Sequence, residues 1–512
     1  MFTQINSIGL FGMNAFPVVT EINASKGLSE FTIVGMADAS VQESKQRIFS
    51  ALANSNIKIE NKSMVINLTP ASIRKAGSSY DLAILTAMLA AQEDVAVNLN
   101  KSAFFGEVSL GGAVNPVTGA LTMAIEARKN NIDTLFLPKE NAAEASVVAG
   151  LDVYGVENVS QLHNHLTGKI SLKPCDTYTP KEAAYQNLAD FSDVKGQENV
   201  KKALTIAAAG FHNVLMVGTP GTGKSMLAKR LPSVLPAMTF AESIETTQIH
   251  SVAGILDKNS PLVVNRPFRP VSHTASAAGL CGGSGIPRPG EISLAHNGVL
   301  FLDELPEFDR RTLETLRQPV EDGEMVITRA TGSVSYPCRF MLVAAMNPCP
   351  CGNFGHPTKQ CVCSPLSVTR YLGKISQPVL DRIDIQTEVN PISYKEISDN
   401  EKGENSAIIR EKVEKARLIQ IKRFNAANMN IRYNSEIPPS MLSEICVMDD
   451  SAKTLIKNVF DKLGMSARAY DRILKVARTA ADLDNVELIS KKHISQAVSY
   501  RSLDRKYWGK DK

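Results

Sequence analysis

The first third of the chain alternates short apolar runs with segments of helical spacing. FTIVGM and MVINLT are rich in apolar and β-branched residues, and the segment between them places Val41, Ile48 and Leu52 near one helical face. Further on, DLAILTAMLAAQ and TMAIEARKNN favour helices, whereas FFGEVSL, TLFLP and DVYGV favour strands. Strands alternating with helices indicate a mixed-sheet α/β domain, which we place over residues 1–165.

This pattern stops after residue 165 and later resumes. Residues 166–188 are polar, contain two prolines and lack sustained periodicity, so we expect a linker. A second α/β domain is predicted over residues 189–395, with the strands NVLMVG, GVLFLDEL and FMLVAAMN. Residues 396–512 are rich in helical patterns and predict a helical C-terminal domain.

Length and composition fit a multi-domain protein of the cytoplasm. The chain has 512 residues, enough for about three domains with substantial cores. The formal net charge of +4 is too small to indicate nucleic-acid binding by itself. No basic segment precedes an apolar stretch at the N-terminus, and no apolar run reaches about 18 residues, so we expect neither a signal peptide nor a membrane span.

A glycine-rich loop stands between a predicted strand and a predicted helix. Backbone N–H groups of such a loop face phosphate oxygens, and glycines let the backbone approach them. Lys224 is expected to reach the β- and γ-phosphates, and the Ser225 hydroxyl to bind Mg²⁺. Unless the match is due to chance, the pattern predicts an ATP site formed by Gly218, Thr219, Pro220, Gly221, Thr222, Gly223, Lys224, Ser225 and Met226.

Two carboxylates and an amide follow the next two apolar strands. Asp303 and Glu304 end GVLFLDE, where Asp303 suits the Mg²⁺ shell and Glu304 suits polarisation of the attacking water. A solvated acidic turn is the alternative. Asn347 ends FMLVAAM, and its amide suits orientation of that water, although a plain turn residue before Pro348 is the other interpretation.

Several segments taken together resemble a known family. DFSDVKGQENVKKAL, the glycine loop, VLFLDELPEF and AAMNPCPCG are similar to the magnesium-chelatase-like group of AAA+ ATPases, in particular to the ComM/YifB family. NLTPASIRKAGSSYDLAI near the N-terminus extends the resemblance to nearly the whole chain. It implies an AAA+ core with insertions, a C-terminal helical lid, and a homo-hexamer that holds ATP between subunits.

Two arginines match catalytic positions of this family. Arg382 of VLDRIDI matches the finger that reaches the γ-phosphate of the neighbouring subunit, and Arg468 of SARAYDR matches the sensor arginine of the lid. An arginine suits the finger because it stays charged and forks to two oxygens. Without the resemblance, each would be interpreted as a surface salt-bridge residue. Ser376-Gln377-Pro378 replaces the usual Ser-Gly-Pro before Arg382, which bears on how the finger is presented.

Two insertions are predicted in the second α/β domain. The first runs from Arg266 to Gly298 and is long, basic and rich in glycine and proline; the second, GEMVITRATGSVSYP, alternates as a β-hairpin with Arg329 near its tip. The resemblance implies that both point into the pore of the ring, where basic side chains suit a DNA backbone. A solvated loop or an inter-subunit contact is the alternative. The candidate DNA-binding residues are Arg266, Arg269, His273, Arg288 and Arg329.

The insertions differ from a base-stacking surface in their aromatic content. Phe268 and Tyr336 are the only aromatic rings of Phe, Tyr or Trp in them, so electrostatic tracking is favoured over stacking. Val271-Ser272-His273 stands where the family has Pro-His-His, which weakens the assignment of that loop to DNA.

Four of the eight cysteines cluster in the segment 349–363 as two Cys-x-Cys pairs. Four thiolates can surround Zn²⁺ tetrahedrally, and a closed site of this kind is structural. The segment is too short for a core of its own, which favours a zinc knuckle. Unligated thiols or a disulfide are the alternatives, and His356 is a weaker ligand candidate. The predicted ligands are Cys349, Cys351, Cys361 and Cys363.

The N-terminal region resembles the Lon-protease-type fold, used in this family as an accessory domain. Ser79 matches the nucleophilic serine of true Lon proteases, but Thr122 stands where the partner lysine belongs. Threonine cannot act as the amine base that activates such a serine, so we expect no peptidase activity and an ordinary hydroxyl at Ser79.

These features are compatible with three functions. The leading hypothesis is an ATP-driven hexameric DNA motor, a helicase or branch-migration enzyme that acts in natural transformation and recombination. Its expected cofactors are ATP, Mg²⁺ and structural Zn²⁺, and its expected partners are DNA and recombination or competence proteins. The alternative is an ATP-driven remodeller of a protein complex, like the chelatase motor subunits, whose turnover would not respond to DNA. An ATP-dependent protease is disfavoured by Thr122.

Overall fold

A computed structural model of the chain describes residues 1–25, 30–60, 62–178, 185, 188–257, 260–283, 287–329, 332–356, 358–392 and 403–508. Five predicted features lie at least partly outside these ranges: the linker at residues 179–184 and 186–187, the first insertion at 284–286, the hairpin tip at Ala330 and Thr331, the zinc knuckle at 357, and the domain boundary at 395–396.

The N-terminal region is built on one mixed sheet. Its strands are β1 (Phe2–Phe11), β2 (Asn14–Ser25), β3 (Phe31–Val34), β4 (Ser63–Thr69), β5 (Ser102–Phe104), β6 (Glu107–Val108), β7 (Val114–Asn115), β8 (Thr134–Pro138) and β9 (Asp152–Val156). Seven of them form the sheet in the order β3-β4-β2-β1-β5-β8-β9, and β6 pairs with β7. Pairing is antiparallel where β2 meets β1 and β4, and parallel elsewhere in the large sheet.

Helices cover this sheet and supply much of its core. They are α1 (Ala39–Gln42), α2 (Ser44–Asn54), α3 (Asp81–Ala90), α4 (Ala120–Lys129), α5 (Lys139–Ala145) and α6 (Val159–Leu166). Every residue of α3 is buried, as its unbroken apolar sequence requires. The helices predicted from SVQESKQRIFSALANS, DLAILTAMLAAQ and TMAIEARKNN are confirmed.

A parallel sheet forms the second α/β region. Its strands are β10 (Val214–Gly218), β11 (Phe268–Val271), β12 (Val299–Leu302), β15 (Met341–Met346) and β16 (Ile385–Val389), in the order β11-β12-β15-β10-β16. The predicted hairpin forms as β13 (Glu324–Arg329) and β14 (Gly332–Pro337). The helices are α7 (Glu198–Gly210), α8 (Lys224–Arg230), α9 (Phe240–Ala253), α10 (Ala277–Cys281), α11 (Glu291–Leu294), α12 (Arg310–Glu314), α13 (Arg317–Asp322), α14 (Pro365–Leu372) and α15 (Gln377–Leu380).

The C-terminal region is helical, which confirms the predicted fold class. Its helices are α16 (Ser406–Ala426), α17 (Leu442–Ile445), α18 (Asp450–Leu463), α19 (Ala467–Leu483), α20 (Lys491–Ser499) and α21 (Ser502–Trp508). Helices α16–α20 share one apolar core with α7 and the parallel sheet, in which Phe211 stacks on Tyr433 with 4.4 Å between ring centroids. Leu503 and Tyr507 of α21 belong to a second core. None of the described helices is both long enough and apolar enough to cross a bilayer.

The N-terminal region packs against the second region through α9 and the β13–β14 hairpin. In α9, Ser251 donates to the buried Glu144 carboxylate at 2.6 Å. On the hairpin, Ile327, Val334 and Tyr336 are buried against residues at the β1–β2 turn. The hairpin that was expected to project into a pore therefore has one face covered by its own chain.

Candidate functional site

Three neighbouring strands bring the predicted catalytic residues together. In the parallel sheet β15 lies between β12 and β10, and Leu302 is in register with Ala344 while Val217 is in register with Met346. Because parallel strands end at the same edge, the segments that follow them meet there. These segments carry the acidic pair after β12, Asn347 after β15 and the glycine-rich loop after β10.

The loop after β10 needs its glycines for two reasons. Gly221 and Gly223 have φ angles of 79° and 88°, in the left-handed region that side chains disfavour. A Cβ at Gly218 would lie 2.4 Å from the carbonyl oxygen of Val389. The loop leads directly into α8, whose first N–H groups have no partner within the helix and suit an anion.

Lys224 is held across the mouth of this loop. Its Nζ donates to the carbonyl oxygens of Gly218 and Thr219 at 2.7 and 3.0 Å, and to Asn347 Oδ1 at 3.2 Å. Burial lowers the pKa of Lys224, and the nearby charges of Asp303 and Glu304 oppose that effect. The amine is therefore already placed among the groups predicted to surround the phosphates.

The predicted Mg²⁺ ligands touch each other. Ser225 Oγ donates to Asp303 Oδ2 at 2.6 Å, although 77 residues separate the two positions. Glu304 has the left-handed angles φ 54° and ψ 49°, and its side chain is half exposed. Strain of this kind in a non-glycine residue is concentrated at functional sites, where the surrounding structure enforces it.

A cavity of about 400 Å³ opens over these groups, and their chemistry fits MgATP. A Cβ built on Gly221 would have nothing within 4 Å, so the loop faces open space. A hydroxyl beside a carboxylate offers the oxygen ligands that Mg²⁺ prefers. The cavity is lined by Pro220, Gly221, Thr222, Gly223, Lys224, Ser225, Met226, Asp303, Glu304, Met346 and Asn347.

His273 lies beside the predicted catalytic acid Glu304. Its Nδ1 is 3.2 Å from Glu304 Oε2, because the chain leaves β11 beside the end of β12. The imidazole therefore faces the predicted catalytic carboxylate, and its contact with DNA stays a prediction.

Two of the predicted DNA-binding arginines are engaged within the chain. Arg266 is 7% exposed, and its guanidinium bonds to Asn297 O at 2.7 Å, Pro236 O at 2.6 Å and Glu242 Oε2 at 3.1 Å. This buried network contradicts the prediction that Arg266 contacts DNA. Arg269 is half-buried and forms a bidentate pair with Glu291 at 2.6 and 2.8 Å.

The other two arginines are exposed near the base and the tip of the hairpin. The carbonyl oxygen of Arg288 accepts from Gly283 N at 3.0 Å, and a Cβ on Gly283 would lie 2.5 Å from Arg329 Nη2. Gly283 thus brings the two insertions together. The aromatic rings of the insertions are not exposed for stacking on bases, since Tyr336 is fully buried and Phe268 stacks on Phe301.

Arg382 and Arg468 line a different cleft, on the side where the helical region meets the parallel sheet. Arg468 is 70% exposed, with Nη1 3.7 Å from Asp381 Oδ2. Arg382 is only 9% exposed and has its guanidinium bound within the chain. Neither arginine lines the cavity over the glycine loop. Within one chain, the predicted catalytic residues therefore lie in two separate places: the cavity over the glycine loop and the cleft that holds Arg382 and Arg468.

The four clustered cysteines have the geometry of a metal site. Their sulfur atoms all lie within 4.8 Å of one another, and the three separations among Cys349, Cys351 and Cys361 are 3.5, 3.7 and 3.6 Å. Four sulfurs at about 2.3 Å from a tetrahedral Zn²⁺ would be about 3.8 Å apart. All eight cysteines are free, so the disulfide alternative is not adopted. The N–H of Phe354 donates to Cys349 Sγ at 3.3 Å, as suits a thiolate.

This cysteine knuckle lies directly against the nucleotide loop. A Cβ on Gly352 would lie 2.5 Å from Pro220 Cδ, and Gly352 has a φ of 79°. The knuckle also begins two residues after Asn347. The sequence predicted the four ligands but offered no sign of this contact, since nothing links positions 220 and 352 along the chain.

In the N-terminal region, Ser79 and Thr122 occupy the positions that match the serine and lysine of Lon proteases. Thr122 is buried, and its Oγ1 has no hydrogen-bond partner among the described residues. Ser79 is half-buried, and its carbonyl oxygen accepts from Gly106 N at 2.8 Å. Ser78, next to it, donates to the Glu107 carboxylate.

Comparison with known proteins places the chain in a family. Models of "Magnesium chelatase, subunit ChlI", "Subunit ChlI of Mg-chelatase" and "Magnesium chelatase, subunit ChlI C-terminal" match residues 190–397, 20–141 and 403–501. Competence protein ComM of Haemophilus influenzae is 41% identical over 500 residues, covering 96% of each chain. The chain belongs to the ComM/YifB family of magnesium-chelatase-like AAA+ proteins.

Other members and relatives of this family agree with that placement. The YifB protein of Escherichia coli is 40% identical over 508 residues, covering 98% of this chain and 97% of YifB. The magnesium-chelatase 38 kDa subunit of Cereibacter sphaeroides is 24% identical over 336 residues, 61% of this chain and 91% of that subunit. An AAA+ protein of the magnesium-chelatase-like family implies ATP and Mg²⁺, which agrees with the contacts around Lys224 and Ser225.

Proposed function

We propose that this chain is an ATPase that works as a homo-hexameric DNA motor of the cytoplasm, a helicase or branch-migration enzyme in natural transformation and recombination. The observation that carries the ATPase is the contact of Ser225 with Asp303 at 2.6 Å, beside the contact of Lys224 with Asn347 at 3.2 Å. The role in transformation draws on the similarity to competence protein ComM.

The residues at the sheet edge divide the work of hydrolysis. The amides of the glycine loop and Lys224 bind and orient the phosphates, while Ser225 and Asp303 would hold Mg²⁺. Mg²⁺, when bound, neutralises charge on the phosphate oxygens. Glu304 polarises the attacking water, and Asn347 orients it. His273 restrains the Glu304 carboxylate before the substrate is in place.

The ring supplies the residues that one chain cannot bring to its own phosphates. Arg382 and Arg468 line a cleft that does not include the glycine loop. We place this cleft against the nucleotide cavity of the neighbouring subunit, so that both arginines reach that subunit's γ-phosphate. A contact between two different faces repeats around a closed ring, as the hexamer requires.

DNA contact is assigned to the exposed basic side chains of the insertions. Arg288 and Arg329 are exposed and near each other, whereas Arg266 is buried and Arg269 is paired. Phosphate contacts of this kind are independent of base sequence, as suits a motor that moves along DNA. The buried Tyr336 supports electrostatic tracking rather than base stacking.

Two further assignments complete the proposal. Cys349, Cys351, Cys361 and Cys363 would hold one structural Zn²⁺ as four thiolates, which staples the knuckle against Pro220. The N-terminal region is assigned a supporting role without peptidase activity, because Thr122 offers no amine to activate Ser79.

The second candidate is an ATP-driven remodeller of a protein complex. The similarity to the magnesium-chelatase 38 kDa subunit favours it, since the matching residues include 91% of that subunit. The two candidates share the ATP site and differ in what the insertions contact.

The test is ATP turnover by the full chain with and without single-stranded and branched DNA, at about 50 and 200 mM salt. The DNA motor predicts stimulation by DNA that weakens steeply at the higher salt, because phosphate contacts release counterions. Substitution of Arg288 and Arg329 by Gln should reduce this stimulation and leave basal turnover unchanged, with Lys129→Gln on a remote helix as the control. Turnover that no DNA changes at either salt contradicts the DNA motor and supports the remodeller.

A further inference from the structure

The finger arginine is closed in by three acceptors of its own chain. Arg382 Nη2 lies 2.6 Å from Glu321 Oε1, Nη1 donates to Pro378 O at 2.6 Å, and Nε donates to Arg317 O at 2.9 Å. The guanidinium is only 9% exposed. A guanidinium in this position cannot bind an oxygen of another subunit until some of these bonds break.

Glu321 is the acceptor that can most easily move away. Its side chain is 57% exposed, whereas the other two acceptors are backbone carbonyls fixed within short helices. It also contributes the one carboxylate charge within ion-pair distance of the guanidinium among the described residues. A carboxylate oxygen and a phosphate oxygen are the same kind of charged acceptor for a guanidinium, so the two compete for Arg382.

The position of Glu321 links it to the hairpin. Glu321 belongs to the last turn of α13, and only Asp322 and Gly323 separate it from β13. Gly323 has a φ of 68° and accepts from Cys338 N at 2.8 Å, which ties the two ends of the hairpin to the end of α13. Only a very short stretch of chain therefore separates the base of the hairpin from Glu321.

We propose that Glu321 is a latch on the finger: it holds Arg382 within its own subunit, and displacement of the hairpin by a bound DNA strand releases it. Glu321 is then a positioning residue that acts through Arg382. The inference rests on the proposed function in taking Arg382 as the finger and DNA as the ligand that moves the hairpin. It gives the hairpin a means of coupling DNA binding to hydrolysis in the neighbouring subunit.

The latch predicts a gain of activity, which a merely structural role would not produce. In Glu321→Gln the carboxylate charge is lost, and we expect basal turnover without DNA to rise about fivefold, the change that a partly exposed ion pair contributes. The ratio of turnover with DNA to turnover without DNA should fall by the same factor, because Arg382 is already released in the variant. Asp322→Asn is the matched control, since this neighbouring acid makes no ion pair with Arg382.

The experiment measures ATP turnover of the full chain at saturating MgATP, at a concentration where light scattering shows the same assembly for every variant. The double variant Glu321→Gln/Arg382→Ala should lose the gain, which shows that Glu321 acts through Arg382. Basal turnover of Glu321→Gln equal to or below that of the wild type overturns the latch. If Arg382→Ala alone keeps full turnover, the finger of the proposed function fails instead.

Discussion

At the scale of single residues, the site depends on groups held in position before substrate arrives. Lys224 is oriented by Asn347, Ser225 by Asp303, and Glu304 by His273. Each contact joins segments that follow different strands, so the sheet edge fixes their geometry. The left-handed backbone at Glu304 is consistent with a carboxylate placed for chemistry at some cost in conformational energy.

Glu304→Gln should separate binding from hydrolysis. The amide keeps the shape of the side chain but cannot polarise water, so ATP should bind as before while turnover falls below about a tenth. Nucleotide binding by calorimetry and phosphate release measure the two quantities. Glu307→Gln is the control, because that nearby acid pairs with Lys374 at 3.0 Å. Turnover above about a tenth of the wild-type rate would show that Glu304 does not polarise the attacking water.

At the scale of elements, the cysteine knuckle and the hairpin each contact another part of the chain: the knuckle packs on the nucleotide loop, and the hairpin packs on the N-terminal region. The knuckle contacts Pro220 of the nucleotide loop. The hairpin contacts the N-terminal region on one face and continues into α13 at its base. Both are therefore placed to influence hydrolysis without contacting ATP.

Cys361→Ser should lose the metal and loosen the nucleotide loop. We expect elemental analysis to find about one zinc per wild-type chain and much less in the variant, because three thiolates hold Zn²⁺ poorly. Turnover should fall about tenfold as the loop loses its support. Cys175→Ser, outside the cluster, should keep both zinc and turnover. A wild-type chain that is folded and free of zinc contradicts the staple.

Gly12→Ala should release the hairpin from the N-terminal region. Gly12 has a φ of 61°, and its new Cβ would lie 2.2 Å from Val334 Cγ1, so the hairpin must shift. Gly77→Ala is the matched control, because its φ of 88° imposes comparable backbone strain with nothing within 4 Å. Hydrogen exchange across residues 324–337 should accelerate about tenfold in the first variant alone. Equal exchange in both variants would show that the contact does not hold the hairpin.

The sequence predicted the elements that have strong patterns and missed those that do not. The three apolar strands β10, β12 and β15 and the hairpin were predicted from periodicity. Strands β11 and β16 were not, because FRPV contains a proline and IQTEV carries polar residues. Both lie at the edges of the sheet, where such residues are tolerated. The burial of Arg266 could not be predicted, because no local pattern reveals that Glu242 and three carbonyls enclose its guanidinium.

At the scale of the whole molecule, the chain presents two incomplete halves of one catalytic set. The cavity over the glycine loop holds Lys224, Asp303 and Glu304, and the cleft at the helical region holds Arg382 and Arg468. Motifs indicated all five residues, but only their placement in space divides them between two surfaces. Two subunits must therefore complete one another for ATP to be hydrolysed.

Mixing two inactive variants tests this requirement most directly. Glu304→Gln keeps its finger and Arg382→Ala keeps its glutamate, so in mixed rings about a quarter of the interfaces should combine an intact half from each. The account predicts that ATP turnover of the equimolar mixture clearly exceeds the sum of the two variants measured alone. A mixture that assembles, as light scattering can verify, yet shows no more than that sum would contradict it.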